Sequence, residues 1–260
     1  MKSFTRIKKI NGQEYLYEIT PYYGKEKKQI CFELAEHPRW SPDGRSIVFD
    51  SDSGKSMKMV PAKGGSPLRI VPDSTKMRNG GMPCWSPDGS RIAFVEGGTL
   101  SLCVEDIETK TITRIFKQDG MVPMPGCWTR DGKNILIALM ELKTRKSTIW
   151  RISTDGKAIK QITGHHEGLY RYIELSPDGS LLLYGAMETK EKKTVSGLWI
   201  MPSDGGKSIQ IVSHPSFNEA PQWSPDGKKL AFASSRPGGG IWIMDMNVEQ
   251  VKREVEELNK

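Results

Sequence analysis

The sequence predicts an all-β fold, a β-propeller of four-stranded antiparallel blades. Two observations carry this. A turn block recurs five times, at residues 37–49 (HPRWSPDGRSIVF), 82–94 (MPCWSPDGSRIAF), 125–137 (PGCWTRDGKNILI), 172–184 (YIELSPDGSLLLY) and 220–232 (APQWSPDGKKLAF). Counted on its tryptophan position, the block returns after 45, 43, 47 and 48 residues. A period in the forties made of short β segments is the pattern of propeller blades, one four-stranded sheet per repeat.

Each copy reads in the same order. A short strand ends at the tryptophan, Ser-Pro-Asp-Gly turns the chain, and an apolar strand such as SIVFD, RIAFV or KLAFA follows. A third strand (MKMVPA, LSLCVED, TIWRIST, LWIMPSD, IWIMDM) leads through a polar tip to a fourth (LRIV, ITRIF, KQIT, IQIV). Pro sets φ for the second turn position, and Gly reaches positive φ at the fourth. The block is therefore structural, and its aspartates are turn formers rather than a ring of catalytic acids. Thr129 and Arg130 in the third copy, and Leu175 for tryptophan in the fourth, predict looser turns there.

Residues 4–34 align with the second to fourth strands of blade 2, which predicts most of a sixth blade; five blades closed by an N-terminal strand are the alternative. Residues 247–260 serve as a closing strand or a helical tail, since Val251, Val255 and Leu258 have helical spacing. All of residues 1–260 is read as one propeller domain.

WSPDG-x-x-[IL]-[AV]-F followed by IW-[IV]-M and a DGG hairpin resembles the TolB-type, WD-like propeller repeat, over roughly residues 35 to 246. The resemblance implies a protein-binding, WD40-like repeat protein without catalysis, and in the family a periplasmic scaffold of an envelope complex.

The net charge of +7 is spread over the chain and comes with no nucleic-acid motif. No apolar run has the length of a signal peptide or a membrane span, so the chain as written is expected to be cytoplasmic, and periplasmic or extracellular only if an export signal has been removed. Cys31, Cys84, Cys103 and Cys127 show no CxxC spacing and are expected as buried free thiols. Cys84 and Cys127 precede the tryptophans of neighbouring blades, which leaves a thiol pair or half of a soft-metal site as the alternative.

A propeller carries function on the loops entering its inner strands, here the residues before each tryptophan position. Tyr170, Asn218 and Gln222 belong to these loops, and all four histidines fall in them. The main expectation is a monomer that binds a protein or peptide through Glu36, His37, Arg39, Arg171, Tyr172, His214 and Glu219, with no cofactor. The alternative is a metal-dependent lyase or hydrolase acting on an acidic carbohydrate, with His37, His165, His166 and His214 as ligands of a divalent ion. No G-x-S-x-G nucleophile elbow is present.

Overall fold

The computed structural model describes residues 4–10, 13–21, 35–51, 54–71, 81–163, 168–190, 193–213, 216–236 and 240–260. The chain forms two compact units, Lys27–Glu167 and Met1–Glu26 with Gly168–Lys260.

A hairpin of β1 (Phe4–Ile10) and β2 (Gln13–Pro21) comes first. Blade 1 holds β3 (Ala35–Trp40), β4 (Ser46–Ser51), β5 (Ser56–Pro61) and β6 (Leu68–Arg69). Blade 2 holds β7 (Gly81–Trp85), β8 (Arg91–Glu96), β9 (Ser101–Asp106) and β10 (Ile112–Lys117). Blade 3 holds β11 (Met121–Trp128), β12 (Asn134–Glu141), β13 (Ser147–Ser153) and β14 (Ile159–Gln161). Blade 4 holds β15 (Leu169–Leu175), β16 (Leu181–Lys190), β17 (Lys193–Pro202) and β18 (Ile209–Val212). Blade 5 holds β19 (Asn218–Trp223), β20 (Lys229–Ser234) and β21 (Ile241–Asp245), and α1 (Val248–Leu258) ends the chain. The first four blades pair their strands antiparallel in chain order.

The fold class is the β-propeller, and the described residues form five blades, the alternative count; the expectation of six is corrected. The N-terminal hairpin builds no sheet of its own. It extends blade 5 in the order β1-β2-β21-β20-β19, with Thr20 opposite Ile243 and Pro21 opposite Trp242. The reason lies at the other terminus. Beyond Asp245 the chain turns into a helix, so blade 5 has no outer strand from its own repeat and β2 covers the open edge. Residues 22–34 of the expected sixth blade, with Cys31, lie outside the described residues.

Asn247 caps α1 by accepting from the Gln250 amide at 3.1 Å. Val255 enters the core shared by blades 4 and 5, and Lys252 pairs with Asp178 at 2.6 Å. Asn259 grips Lys207, accepting from its N–H at 2.6 Å and donating to its carbonyl at 3.1 Å. The tail is thus the helical alternative.

The turn block is one hydrogen-bonded device. In blade 1 the Ser41 hydroxyl donates to Asp43 at 2.6 Å and accepts from the Ser46 amide at 2.9 Å, while Asp43 also accepts from the Arg45 amide at 3.0 Å. Gly44 closes it at φ 69°. The same set recurs around Ser86–Asp88, Ser176–Asp178 and Ser224–Asp226. The third turn is not looser: the Thr129 hydroxyl donates to Asp131 at 2.6 Å and accepts from the Asn134 amide at 3.0 Å. What the turn needs is a hydroxyl, which threonine supplies. These donors hold Asp43, Asp88, Asp131 and Asp226 below the usual carboxylate range. Asp88 falls to about 2, through the Ser86 hydroxyl first and then the Ser90 amide.

Period-two alternation sorts side chains between neighbouring sheets. On blade 2, Ile92, Phe94 and Cys103 pack on Val48, Met57, Ile70 and Val71 of blade 1. Their sequence neighbours Ala93, Leu102 and Val104 pack the other way, on Trp128, Ile135, Ile137 and Ile152 of blade 3. Two tryptophans also bolt blade to blade: Trp85 Nε1 donates to the Arg39 carbonyl at 3.3 Å, and Trp128 Nε1 to the Cys84 carbonyl at 3.0 Å. Both acceptors are the residue before the preceding blade's tryptophan. The Arg91 guanidinium covers the Trp128 ring at 4.8 Å. Cys84, Cys103 and Cys127 are free thiols, and burial pushes Cys84 and Cys103 up to about 12.

Candidate functional site

The approach to each inner strand is where the blades differ. Three residues before the tryptophan position stand His37, Met82, Pro125, Tyr172 and Ala220. Four of the five are left-handed, at φ 46°, 54°, 55° and 48° for His37, Met82, Tyr172 and Ala220. Each sits in a bulge where the ladder skips two residues, between Glu36 and Arg39, Gly81 and Cys84, Arg171 and Glu174, and Glu219 and Gln222. Blade 3 is the exception because its residue is proline, whose ring holds φ near about −65°. There the ladder skips only Gly126, and β11 runs on for eight residues. A left-handed non-glycine residue is uncommon and costs strain that the surrounding sheet must hold in place.

In the unit of blades 1 to 3, this bulge brings His37 onto Asp50 of β4. His37 Nδ1 lies 3.1 Å from both Asp50 carboxylate oxygens. The Asp50 side chain is 2% exposed and that of His37 40% exposed. The Asp50 hydrogen bond raises the His37 pKa above its ordinary value, against desolvation, with the Asp50 and Glu36 charges assisting. Glu36 precedes His37 and faces Asp50 directly across the ladder. One ligand atom from each of Glu36, His37 and Asp50 falls within 4.8 Å of the others, a geometry open to a metal ion. Arg39 lies past the bulge, half-buried, with its carbonyl taken by Trp85.

In the other unit, Tyr172 hydroxyl donates to Glu219 at 3.4 Å, joining the approaches of blades 4 and 5. Burial first, and the Glu219 charge second, raise the Tyr172 pKa. Arg171 beside it is exposed. Two loop residues prove structural. Tyr170 is buried edge-on against Tyr184 at 5.0 Å between ring centres. Asn218 is buried too, donating to the Ser196 and Ser216 carbonyls at 3.0 and 2.8 Å and accepting from Ser234 at 2.9 Å. His165, His166 and His214 lie outside the described residues, so of the expected metal set only His37 is located.

Asp50 is the site residue that sequence reasoning missed. A signal was available: at its place in the repeat the other blades carry Val95, Ala138, Gly185 and Ala233, paired in the ladder with Gly81, Met124, Arg171 and Glu219. Asp50 is the acid in a column of small or apolar residues.

No known protein-family profile matches the chain. It is 24% identical to an uncharacterised protein of Agrobacterium fabrum, over 79% of this chain and 86% of that one. It is 28% identical to the Tol-Pal system protein TolB of Anaeromyxobacter dehalogenans, over 52% of this chain and 29% of the relative. To TolB of Francisella tularensis subsp. mediasiatica it is 26% identical, over 64% of this chain and 38% of the relative. The alignments thus span about a third of the TolB relatives' own length. Among solved structures, a putative TolB from Agrobacterium tumefaciens superposes with a TM-score of 0.68 at 22% identity, covering 82% of this chain and 78% of that one. TolB from Acinetobacter baumannii gives 0.62 at 19% identity, covering 83% and 55%.

Proposed function

We propose that this TolB-like β-propeller is a non-catalytic scaffold that binds a protein or peptide through the loops leading into its inner strands. One observation carries the reading: four blades leave the ladder at the same bulged, left-handed position, and what they offer there differs from blade to blade. A rigid repeat with variable loops is a recognition surface. The partner-contacting residues are Glu36, His37, Arg39, Arg171, Tyr172, His214 and Glu219, a mixed-charge set suited to a polar peptide surface. By its likeness to the Tol-Pal system protein TolB, we assign the chain to the periplasm; the cytoplasmic expectation draws no support from these relatives. No described helix is long and apolar enough to cross a membrane.

The test is affinity capture with the wild type beside a Glu36→Lys/Arg171→Glu double variant, both first shown to melt alike. The expected result is a partner that the wild type retains and the double variant loses. Equal capture by both would overturn the assignment of these loops.

A further inference from the structure

The pairing of His37 with Asp50 leaves more binding capacity than an ordinary ion pair uses. A carboxylate offers about four acceptor sites. Asp50 is 1% exposed, and its described hydrogen-bond partner is the His37 ring alone. A buried carboxylate is costly unless its lone pairs are satisfied. Glu36, across the ladder, adds a second carboxylate that has no described hydrogen bond or ion pair. Two carboxylates therefore meet one imidazole, a net charge of −1 with the ring protonated and −2 with it neutral, and among the described residues Arg39 is the cation whose charge reaches the ring.

The next blade is shaped around the same carboxylate. Gly81 stands where the other blades carry Glu36, Met124, Arg171 and Glu219. A Cβ on Gly81 would lie 2.5 Å from Asp50 Oδ2 and 2.6 Å from its Cβ. An acid in a column of small or apolar residues thus faces a glycine in a column of larger ones.

The distances suit an ion. Two ligand atoms on a tetrahedral zinc, each about 2.1 Å from the metal, are about 3.4 Å apart. His37 Nδ1 and the Asp50 oxygens, at 3.1 Å, are already near that spacing. Glu36 is exposed, so rotation of its side chain closes the remaining gap, and the part-exposed His37 ring leaves solvent a path in. One imidazole nitrogen with two carboxylate oxygens suits a first-row divalent ion better than calcium or magnesium, which prefer all-oxygen shells.

We propose that Glu36, His37 and Asp50 bind a first-row divalent metal ion of the zinc class, with Gly81 giving Asp50 the room to reach it. The ion fastens the bulge of blade 1 to β4. The site needs no protein partner, so it stands or falls apart from the scaffold reading.

The test is calorimetric titration of the full chain with zinc chloride, and separately with calcium chloride, alongside thermal melts with and without zinc. Wild type should bind zinc more tightly than calcium and melt higher in its presence. His37→Gln and Asp50→Asn should each weaken zinc binding at least about tenfold and lose the thermal gain. Glu36→Gln, an exposed change that leaves folding alone, should weaken binding in the same direction, which keeps the test open if Asp50→Asn fails to fold. Zinc binding unchanged in Glu36→Gln and His37→Gln would overturn the site, as would binding of calcium in preference to zinc.

Discussion

Glu105 is the sharpest probe of how the blades pack. It lies on β9 between Ile92 and Ile112, two residues beyond Cys103 and on the same face, which packs on blade 1. It is fully buried, and neither carboxylate oxygen has a hydrogen-bond partner among the described residues. The equivalent ladder positions hold Val60, Ile152, Met201 and Met244. Desolvation raises its pKa from 4.5 to about 7, with Lys110 opposing and Asp106 assisting. The folded-state value lies above the unfolded one, so between the two the unfolded chain holds fewer protons and stability falls as pH rises. The penalty is absent below about pH 4.5 and complete above about pH 7, where it amounts to at most about 3 kcal/mol. Glu105→Met, the residue blades 4 and 5 use, removes it. At about 2 °C per kcal/mol for a chain of this size, the melting temperature at pH 8 should rise by up to about 6 °C. Calorimetric melts of wild type and variant at about pH 4.5 and pH 8 would read this, with the larger gain at the higher pH. An equal gain at both, or a loss at pH 8, would show that burial of the Glu105 carboxylate costs no stability at neutral pH.

Three further outcomes follow from the packing. Trp128→Phe removes the Nε1 bond to the Cys84 carbonyl and should cost about 1 kcal/mol in urea unfolding. Gly81→Ala forces a Cβ into the Asp50 side chain at φ 108° and should cost about 1–3 kcal/mol in the same assay. Val255→Ala opens a cavity where α1 meets blades 4 and 5 and should cost about 2 kcal/mol, read from the shift of the urea midpoint.

The repeat is local chemistry, which is why it could be read from the chain. A hydroxyl, an aspartate and a glycine at fixed spacing make the same turn wherever they occur, so the five inner strands and the apolar strands after them were legible. So was the absence of a left-handed residue at the inner-strand approach of blade 3, in principle, because Pro125 forbids it there. The helical tail stood open as one of two readings, and the 3.6-residue spacing of Val251, Val255 and Leu258 was the correct signal.

Blade count was not legible, because it depends on which strand edge the N-terminal hairpin meets. The pattern of residues 4–21 fits an outer strand of any blade, and only the open edge of β21 assigns it to the fifth. The site divides the same way. His37 and Glu36 were singled out by their place before the tryptophan, while Asp50 lies 13 residues beyond His37 and joins it only across the ladder. Glu105 looks like an ordinary polar residue at a strand end, and its burial comes from the neighbouring sheet. The sequence by itself determined the turns, the strands and the repeat, since each rests on contacts a few residues apart. The tertiary structure decided which edges pair and which acids are buried, since both depend on surfaces that meet only after the chain has folded.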